Sequence, residues 1–208
     1  MSNNLRADDV RVALPLFQGE CGGSIPTSAL QLHFEPIHYK TALALNEQWH
    51  SRMPRLSEWN VYTKHPSCYG AIYEGIYYAI AIWTTPISSQ LDTGRNLELR
   101  RMAIHEDAPK NTASRMLGWM VRELKRNPKW DHAFSYQDTA VHQGTIYKAS
   151  GWEPTHLCKK GGGWNTGGET RGVRRVVKSQ PKSQSDAPKV RWEISLQNAE
   201  SNSADLSA

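Results

Sequence analysis

Residues 105–119, HEDAPKNTASRMLGW, join a predicted strand to a predicted helix. The start of a helix exposes unpaired amides and the positive end of its dipole, which together bind anions. Loops of this kind commonly owe their shape to glycine, yet none occurs in this stretch before Gly118. Polar and basic residues stand at the junction and on the preceding strand instead: Arg100, Arg101, Asn111, Thr112, Ser114 and Arg115.

These residue types at a helix start predict a site for a pyrophosphate, such as that of coenzyme A or a nucleotide. A well-capped core helix with an exposed Ser114 explains the same spacing, because Asn111 or Thr112 can cap the helix. Spacing alone therefore leaves both interpretations open.

A second group of candidate residues lies in the basic, glycine-rich stretch that begins near residue 160. Nine basic and two acidic residues occur from Lys159 to Arg191, an excess larger than the net charge of +5 for the whole chain. Basic residues near Trp152 and Trp164 suit a phosphate backbone with occasional base stacking. A solvated, disordered tail is the alternative. The candidate nucleic-acid contacts are Lys159, Lys160, Arg171, Arg174 and Arg175.

The elements that position these residues fit one domain plus a tail in a chain of 208 residues. A helical face is predicted from Tyr39 to Trp49, and Glu74-Gly75 suits a hairpin turn. Residues 96–104 form a predicted strand with Leu97, Leu99, Arg101 and Ala103 on one face. The clearest helix has apolar residues at helical spacing from Ala113 to Leu124 and ends at Asn127-Pro128.

A short strand, 131–138, and a short helix closed by Gly151 follow, and 190–196 is predicted to return as an edge strand. This order predicts a mixed α/β (α+β) domain. We expect an N-terminal extension over 1–30, a catalytic domain over 31–160, a basic extension over 161–196 and a disordered tail over 197–208.

The composition excludes several classes of protein. No apolar run is long enough to cross a membrane, and the N-terminus lacks the apolar core of a signal peptide, so we expect a cytosolic protein. Three distant cysteines, Cys21, Cys68 and Cys158, argue against a disulfide framework and a four-thiolate zinc site.

The order of strand RRMAI, loop, long helix, strand and short helix ending in GW resembles the GNAT acetyltransferase superfamily. In that fold the fourth strand splays from the fifth within a mostly antiparallel mixed sheet flanked by helices. The thioester of acyl-CoA lies in the gap, and its pyrophosphate lies at the start of the following helix. PKNTAS here replaces the superfamily's usual glycine-containing loop.

The departures from the usual pattern resemble the phage-encoded branch that includes the Mom DNA-modification proteins. The likeness rests on ELRRMAI, APKNTASRMLGW and FSYQDTAVHQGTIYKASGW, with an earlier NEQWHS stretch at 46–51. It extends in pieces over roughly residues 36–157. Related phage proteins also share a glycine-rich GGGW and a late RWE.

The resemblance implies an acyl-CoA, such as acetyl-CoA, bound by Arg101 and by the turn that holds Asn111, Thr112, Ser114 and Arg115. It also implies catalytic roles for three residues in the matching segments. Asp138 would be a base or orienting acceptor, Tyr147 an acid towards the coenzyme sulfur, and His50 would close the site over the target base. Such residues are needed because the exocyclic amine of adenine is a weak nucleophile.

The resemblance also raises iron, with His50, Asp138 and His142 as candidate ligands of a two-histidine, one-carboxylate set. This chain has HS where the Mom-type element has HYS, which argues against such a metal role. Packing, helix capping and surface exposure are the structural alternatives for Tyr147, Asp138 and His142 respectively.

The implied function is methylcarbamoylation of the adenine N6 amine in DNA, which protects phage DNA from host restriction. Double-stranded DNA would be the partner, and no membrane would be involved. The protein would act in the cytoplasm of the infected bacterial host, where a homodimer is one compatible form. An ordinary N-acetyltransferase acting on a small-molecule or protein amine is the alternative, and a non-catalytic GNAT-like binding protein is a third.

Overall fold

The computed structural model describes residues 24–50, 56, 64, 66–87, 91–158 and 187–197. A short 3-10 turn, Ala29–Gln31, precedes seven strands and three helices in this part of the chain. In chain order these are β1 (His33–Pro36), α1 (Tyr39–Trp49), β2 (Ser67–Tyr73), β3 (Ile76–Thr84), β4 (Asn96–Ile104), α2 (Thr112–Lys125), β5 (His132–Asp138), α3 (Thr145–Ala149), β6 (Glu153–Cys158) and β7 (Lys189–Ser195).

All seven strands form one sheet in the order β1-β2-β3-β4-β5-β7-β6. Every neighbouring pair is antiparallel except β4 and β5, which run parallel. The predicted mixed, mostly antiparallel sheet with flanking helices is confirmed. Within the described chain no helix is long and apolar enough to span a membrane.

The late strand β7 corrects one prediction, because it does not lie at an edge. It pairs with β5 on one side and with β6 on the other, and its Trp192 is buried. A strand that is hydrogen-bonded along both sides lies inside the sheet, so β6 is the edge strand at this end. Residues 189–195 therefore belong to the same sheet as the strands before residue 160.

The hairpin between β2 and β3 turns at Glu74 and Gly75 as predicted. Both residues have positive φ, 49° and 78°, which is the conformation of a type I′ turn. This turn matches the twist of its two strands and leaves them in a single ladder that continues to Ser67 and Trp83.

Each side of the sheet carries its own apolar cluster. On one side α2 buries Met116, Leu117 and Met120 against β3 and β4 residues such as Trp83 and Leu97. The helix forms because its apolar residues recur at helical spacing and face the sheet. On the other side α1 buries Ala42 and Leu45 against Ile80, Ile82 and Ala103.

A β-bulge in β4 overturns the predicted one-sided pattern of that strand. Trp83 pairs with Leu99, whereas its neighbour Ile82 pairs with Arg101, so Arg100 is an extra residue. The extra residue shifts the alternation of side chains. Leu97 and Leu99 therefore lie on the α2-facing side, whereas Arg101 and Ala103 lie on the α1-facing side.

Candidate active site

A gap opens between β4 and β5 where their parallel ladder stops. The pairing extends from Asn96 and His132 to Leu99 and Ser135. Beyond this point β4 continues to Ile104 along β3, and β5 continues to Asp138 along β7. The two strands therefore diverge from Leu99 and Ser135, which form the closed end of the gap.

The Tyr147 hydroxyl lies at this closed end, on the α2-facing side. It is 2.9 Å from Ser135 Oγ, which is itself 3.1 Å from the Leu99 carbonyl oxygen. Since the Ser135 hydroxyl donates to that carbonyl, it accepts the hydrogen bond from Tyr147. This chain of contacts fixes the Tyr147 oxygen at the last rung of the β4–β5 pair.

The ring of Tyr147 is held by neighbouring aromatic side chains. It stacks on Trp192 with centroids 5.4 Å apart and rings 13° from parallel, and it also contacts Trp152 and His142. Burial raises the pKa of Tyr147, although the hydrogen bond with Ser135 acts in the opposite direction. The hydroxyl is therefore protonated at neutral pH, with its hydrogen directed to Ser135 Oγ.

A second hydrogen-bonded chain supports the same region. Trp192 Nε1 donates to Gln137 Oε1 over 2.6 Å, and the Gln137 side-chain amide donates to the His142 carbonyl. Gly144, at φ +73°, lies against this pair, because a Cβ placed there would be 2.6 Å from the Trp192 ring. Glycine at 144 thus allows α3 to start close enough to position Tyr147.

The start of α2 shows how the glycine-free loop is built. Asn111 adopts the left-handed conformation, with φ +67°, and its side chain makes no capping hydrogen bond. The predicted side-chain cap is therefore wrong, and Asn111 instead takes a backbone conformation that glycine usually supplies. Thr112 and Ser114 donate their hydroxyl hydrogens back to the Pro109 and Asn111 carbonyls, which stabilises the loop.

A cavity of about 240 Å³ opens at this helix start, between α2 and α3. The amides of Ala113 and Ser114 lie in the first turn of α2, where a helix offers no carbonyl partner of its own. The Ser150 hydroxyl ties the two helices together by donating to the Ser114 carbonyl over 3.0 Å. The cavity is lined by Ile104, Pro109, Asn111, Thr112, Ala113, Ser114, Thr145, Ile146 and Ala149.

Arg115 and Arg101 are placed differently from the rest of the predicted phosphate site. The Arg115 guanidinium lies over the Phe34 ring, 5.6 Å from its centroid. Arg101 lies on the α1-facing side of the sheet as a result of the bulge. The structure thus groups Asn111, Thr112 and Ser114 around the cavity and separates Arg101 from them.

Arg101 belongs to a buried charged group with Arg100 and Glu98, of which Glu98 was not predicted as a site residue. Burial and, to a smaller extent, the charge of Arg100 lower the pKa of Arg101 to about 10, and Glu98 opposes both. Burial also raises the pKa of Glu98, and Arg100 is the strongest opposing influence. Arg101 Nε is buried and has no hydrogen-bond partner among the described residues. Two guanidinium groups beside one carboxyl make this side of the gap electropositive.

His50 caps the C-terminus of α1 and lies near this charged group. Burial lowers its pKa below 6.5, and the positive charge of Arg101 lowers it further. The folded protein therefore keeps His50 neutral at pH 7, which is the form that can accept a proton.

Asp138 is the last residue of β5 and lies on the α1-facing side, with Phe134 and Tyr136 of the same strand. Its Oδ1 accepts a hydrogen bond from the Ala140 amide over 3.0 Å. His142 follows in the same loop, where its Nδ1 accepts from the Gly144 amide and burial lowers its pKa. Asp138 and His142 are thus close in the loop, whereas His50 sits beside β4.

The candidate iron ligands do not form a metal site. In residues 24–50 and the other described ranges, no group of three or more His, Cys, Asp or Glu side chains could hold a metal ion. Each member has a separate structural setting: His50 ends α1, Asp138 ends β5 and His142 orders the turn before α3. The predicted iron set of His50, Asp138 and His142 is therefore not supported.

Other predicted residues lie outside the described part of the chain. These are the nucleic-acid contacts Lys159, Lys160, Arg171, Arg174 and Arg175. Conversely, Ser135, Gln137 and Glu98 support the site but were not predicted as site residues, although they lie in the segments ELRRMAI and FSYQD that carry the family resemblance. Their roles depend on partners in other strands.

Solved structures with this architecture include acetyltransferases of low sequence identity. A GNAT family acetyltransferase from Elizabethkingia anophelis with acetyl-CoA bound is 10% identical, with a TM-score of 0.53 over 79% of this chain and 98% of that one. The ribosomal-protein-S18-alanine N-acetyltransferase from Escherichia coli is 10% identical, with a TM-score of 0.56 over 82% and 97%. A Bacillus subtilis acetyltransferase in complex with CoA is 12% identical, with a TM-score of 0.54 over 79% and 98%. The shared feature is the GNAT fold.

The comparison with protein families is more specific. No curated protein sequence matches the chain significantly. A family model does match, over residues 31–203, which includes the gap, the α2 start and β7. The predicted resemblance is thereby confirmed in both of its parts, and the chain belongs to the Mom protein family.

Proposed function

We propose that this protein modifies the N6 amine of adenine in DNA in an acyl-CoA-dependent reaction, the methylcarbamoylation that its resemblance to the Mom proteins implies. The observation that carries the proposal is the β4–β5 gap, which has a fixed tyrosine hydroxyl on one side and a charged, proton-accepting surface on the other. Transfer between two substrates requires such an opening, because donor and acceptor must meet in line.

The α2-facing side suits the acyl-CoA. The uncapped start of α2 offers amides and a positive dipole end to the pyrophosphate, and Asn111 and Ser114 border the same cavity. Ile104 and Ile146 supply apolar walls for the arm that leads to the thioester. The residues present therefore fit an acyl-CoA, with the phosphates at the helix start and the sulfur towards the closed end of the gap.

Tyr147 would act on the leaving group. As the N6 nitrogen bonds to the carbonyl carbon and loses its proton, the bond from carbon to sulfur breaks and the sulfur gains negative charge. Transfer from acetyl-CoA in this way gives an N6-acetyl product, so a methylcarbamoyl product requires a thioester whose carbonyl already carries the methylamino nitrogen. The Tyr147 hydroxyl, protonated and held at the gap by Ser135, would turn its hydrogen away from Ser135 Oγ and donate it to that sulfur. Its position at the last rung of the β4–β5 pair lets it reach a group in the gap.

The α1-facing side suits the amine. Asp138 would accept or orient the proton that the N6 amine loses, and His50, held neutral beside Arg101, would close over the target base. The electropositive surroundings favour a neutral aromatic amine next to phosphate over a positively charged aliphatic amine.

The basic residues Lys159, Lys160, Arg171, Arg174 and Arg175 would hold the DNA backbone, and the target adenine would leave the base stack. In this proposal the protein acts in the cytoplasm of an infected bacterial host and shields phage DNA from restriction.

The decisive experiment is mass spectrometry of nucleosides from DNA of bacteria that express the protein. We expect a modified deoxyadenosine with the wild type and its loss in Asp138→Asn, which keeps the shape but removes the charge. Arg126→Gln, at the exposed end of α2, is the control and should retain the product. Unmodified DNA together with acetylation of another amine would favour an ordinary N-acetyltransferase.

The candidate DNA contacts are tested by replacing their charges and not by truncating the chain. Removing the chain after Cys158 would delete β7 from the middle of the sheet. Replacing the five candidate basic residues by glutamine should instead weaken DNA binding and flatten its salt dependence, because fewer counterions are released. An unchanged salt slope in a filter-binding titration would contradict this role.

A further inference from the structure

The α1-facing side of β5 and β7 carries an aromatic and charged surface that the proposed chemistry leaves unused. The register pairs Phe134 with Glu193 and Tyr136 with Arg191, so these four side chains emerge on one side of the sheet. We call Phe134, Tyr136 and Arg191 the shelf.

The shelf has a buried floor and an open wall. Phe134 is only 3% exposed, whereas Tyr136 is 38% exposed. Their rings meet edge to face, with centroids 5.7 Å apart at an angle of 80°. This contact orients the Tyr136 ring while leaving part of it accessible for another planar group.

Arg191 forms one side of the shelf, and one of its nitrogen atoms has no hydrogen-bond acceptor among the described residues. Its guanidinium lies over Phe134, 5.7 Å from the ring centroid, and forms an ion pair with Glu193. Its Nε is nevertheless buried without a hydrogen-bond partner within the described ranges, as is that of Arg101. The Nε itself has no exposed surface, but a quarter of the Arg191 side chain is exposed, so an incoming group that carries acceptors meets the side chain there.

The shelf borders the gap. Tyr136 directly follows Ser135, the last β5 residue paired with β4, and Ser135 holds the Tyr147 hydroxyl on the opposite side of the sheet. Successive strand residues are only about 3.3 Å apart. A planar group against Tyr136 would therefore lie at the edge of the opening through which the donor is reached.

We infer that the shelf receives the target adenine after it leaves the base stack, with Tyr136 as the stacking surface and Arg191 as a donor to the base or its flanking phosphate. This inference rests on the proposed function. Adenine fits because it has a flat π face and several ring-nitrogen acceptors, whereas an aliphatic ammonium group offers no stacking face and is repelled by guanidinium.

Fluorescence anisotropy with two labelled duplexes, in the presence of coenzyme A, measures the affinity that the target adenine contributes. One duplex carries an unpaired adenine opposite an abasic position, flanked by randomised bases, and the other has an abasic position in place of that adenine. Wild type should prefer the adenine duplex by roughly 5- to 100-fold, the range of base stacking on an aromatic side chain.

Tyr136→Leu and Tyr136→Thr, both tolerated in strands, should abolish the preference while affinity for the abasic duplex stays within about twofold. Tyr136→Phe should retain it. Tyr73→Leu is the matched control, because Tyr73 is a partly exposed tyrosine at the far end of β2 whose hydroxyl contacts Ser24. Thermal unfolding of each variant shows which variants are folded, and only the affinities of folded variants are compared.

The inference is overturned if folded variants without the Tyr136 ring keep the wild-type preference, or if the wild type has none. The proposed function is judged separately, from the modified nucleoside. A modified adenine with no role for Tyr136 therefore rejects the shelf alone.

Discussion

The two sides of the β4–β5 gap are built from different chemistry. On the α2-facing side the polar groups at the gap are neutral and bonded to one another, as in the contacts from Tyr147 through Ser135 to the Leu99 carbonyl. On the α1-facing side Arg100, Arg101 and Glu98 bring charge into a partly buried region. Hydrogen bonds fix the positions of the polar groups on the α2-facing side, whereas charged side chains dominate the α1-facing side.

The distribution of unpaired donors sharpens this contrast. Two arginine Nε atoms, of Arg101 and Arg191, are buried without partners on the α1-facing side of the described sheet. The other side has one comparable group, Trp152 Nε1, which lies within the aromatic packing around Tyr147. The bonded side fixes the position of the Tyr147 hydroxyl, whereas the positive charge of the guanidinium groups on the other side favours a polar, anionic ligand.

The largest expected effect is on the reaction rate when the fixed hydroxyl is removed. Tyr147→Phe should lower the rate of modification by roughly 10²- to 10⁴-fold, the usual contribution of a general acid, while coenzyme A affinity stays within about twofold. Single-turnover assays and calorimetry separate the two quantities. Tyr73→Phe, which also loses a bonded hydroxyl, should keep the wild-type rate. A fully active Tyr147→Phe would show that this side is merely structural.

The next effect concerns the packing of the α2-facing side. Gly144→Ala should reduce the free energy of unfolding by about 2–4 kcal/mol, because Cβ meets the Trp192 ring at 2.6 Å and φ is positive. Gly75→Ala shares the positive φ but has no atom within 4 Å, so it should cost only about 1 kcal/mol. Urea unfolding measures both, and equal losses would contradict the tight packing around Tyr147.

A smaller effect is expected at the glycine-free loop. Asn111→Ala should lower the free energy of unfolding by about 1 kcal/mol and weaken coenzyme A binding several-fold, since alanine disfavours φ +67°. Asn111→Gly should bind as the wild type does, because glycine adopts this conformation readily. If both variants bind equally weakly in calorimetry, the amide side chain rather than the backbone makes the contact.

The smallest effect is electrostatic and lies on the α1-facing side. Arg101→Gln should raise the pKa of His50 towards 6.5, since it removes one of the two influences that lower it. Titration of the His50 ring signal by NMR measures this shift, with Arg126→Gln as the distant control.

The sign of the His50 shift also predicts a pH dependence. Because the pKa is lower in the folded state, the unfolded chain takes up the proton first as the pH falls through about 6.5, and His50 then reduces stability. The penalty should shrink in Arg101→Gln. An unchanged His50 titration would place Arg101 outside the electrostatic surroundings of that ring.

Sequence patterns predicted the elements well where the signal is local. The spacing of apolar residues located α2, the residues NLELRRMAI matched β4, and Glu74-Gly75 made the predicted turn. The family motifs also led to Tyr147 and to the helix start. The Asn111 cap was wrong, because an asparagine permits both a side-chain cap and a left-handed backbone, and the local sequence does not choose between them.

The sequence by itself determined the periodic faces of the helices, the turn residues and the motifs of the Mom family, because each depends on residues close along the chain. Only the tertiary structure decided that Arg100 bulges, that Arg101 consequently faces α1, and that β7 lies between β5 and β6. These outcomes depend on which strand satisfies each backbone hydrogen bond, and that choice is made between segments distant in sequence. The division of the gap into a bonded side and a charged side follows from them.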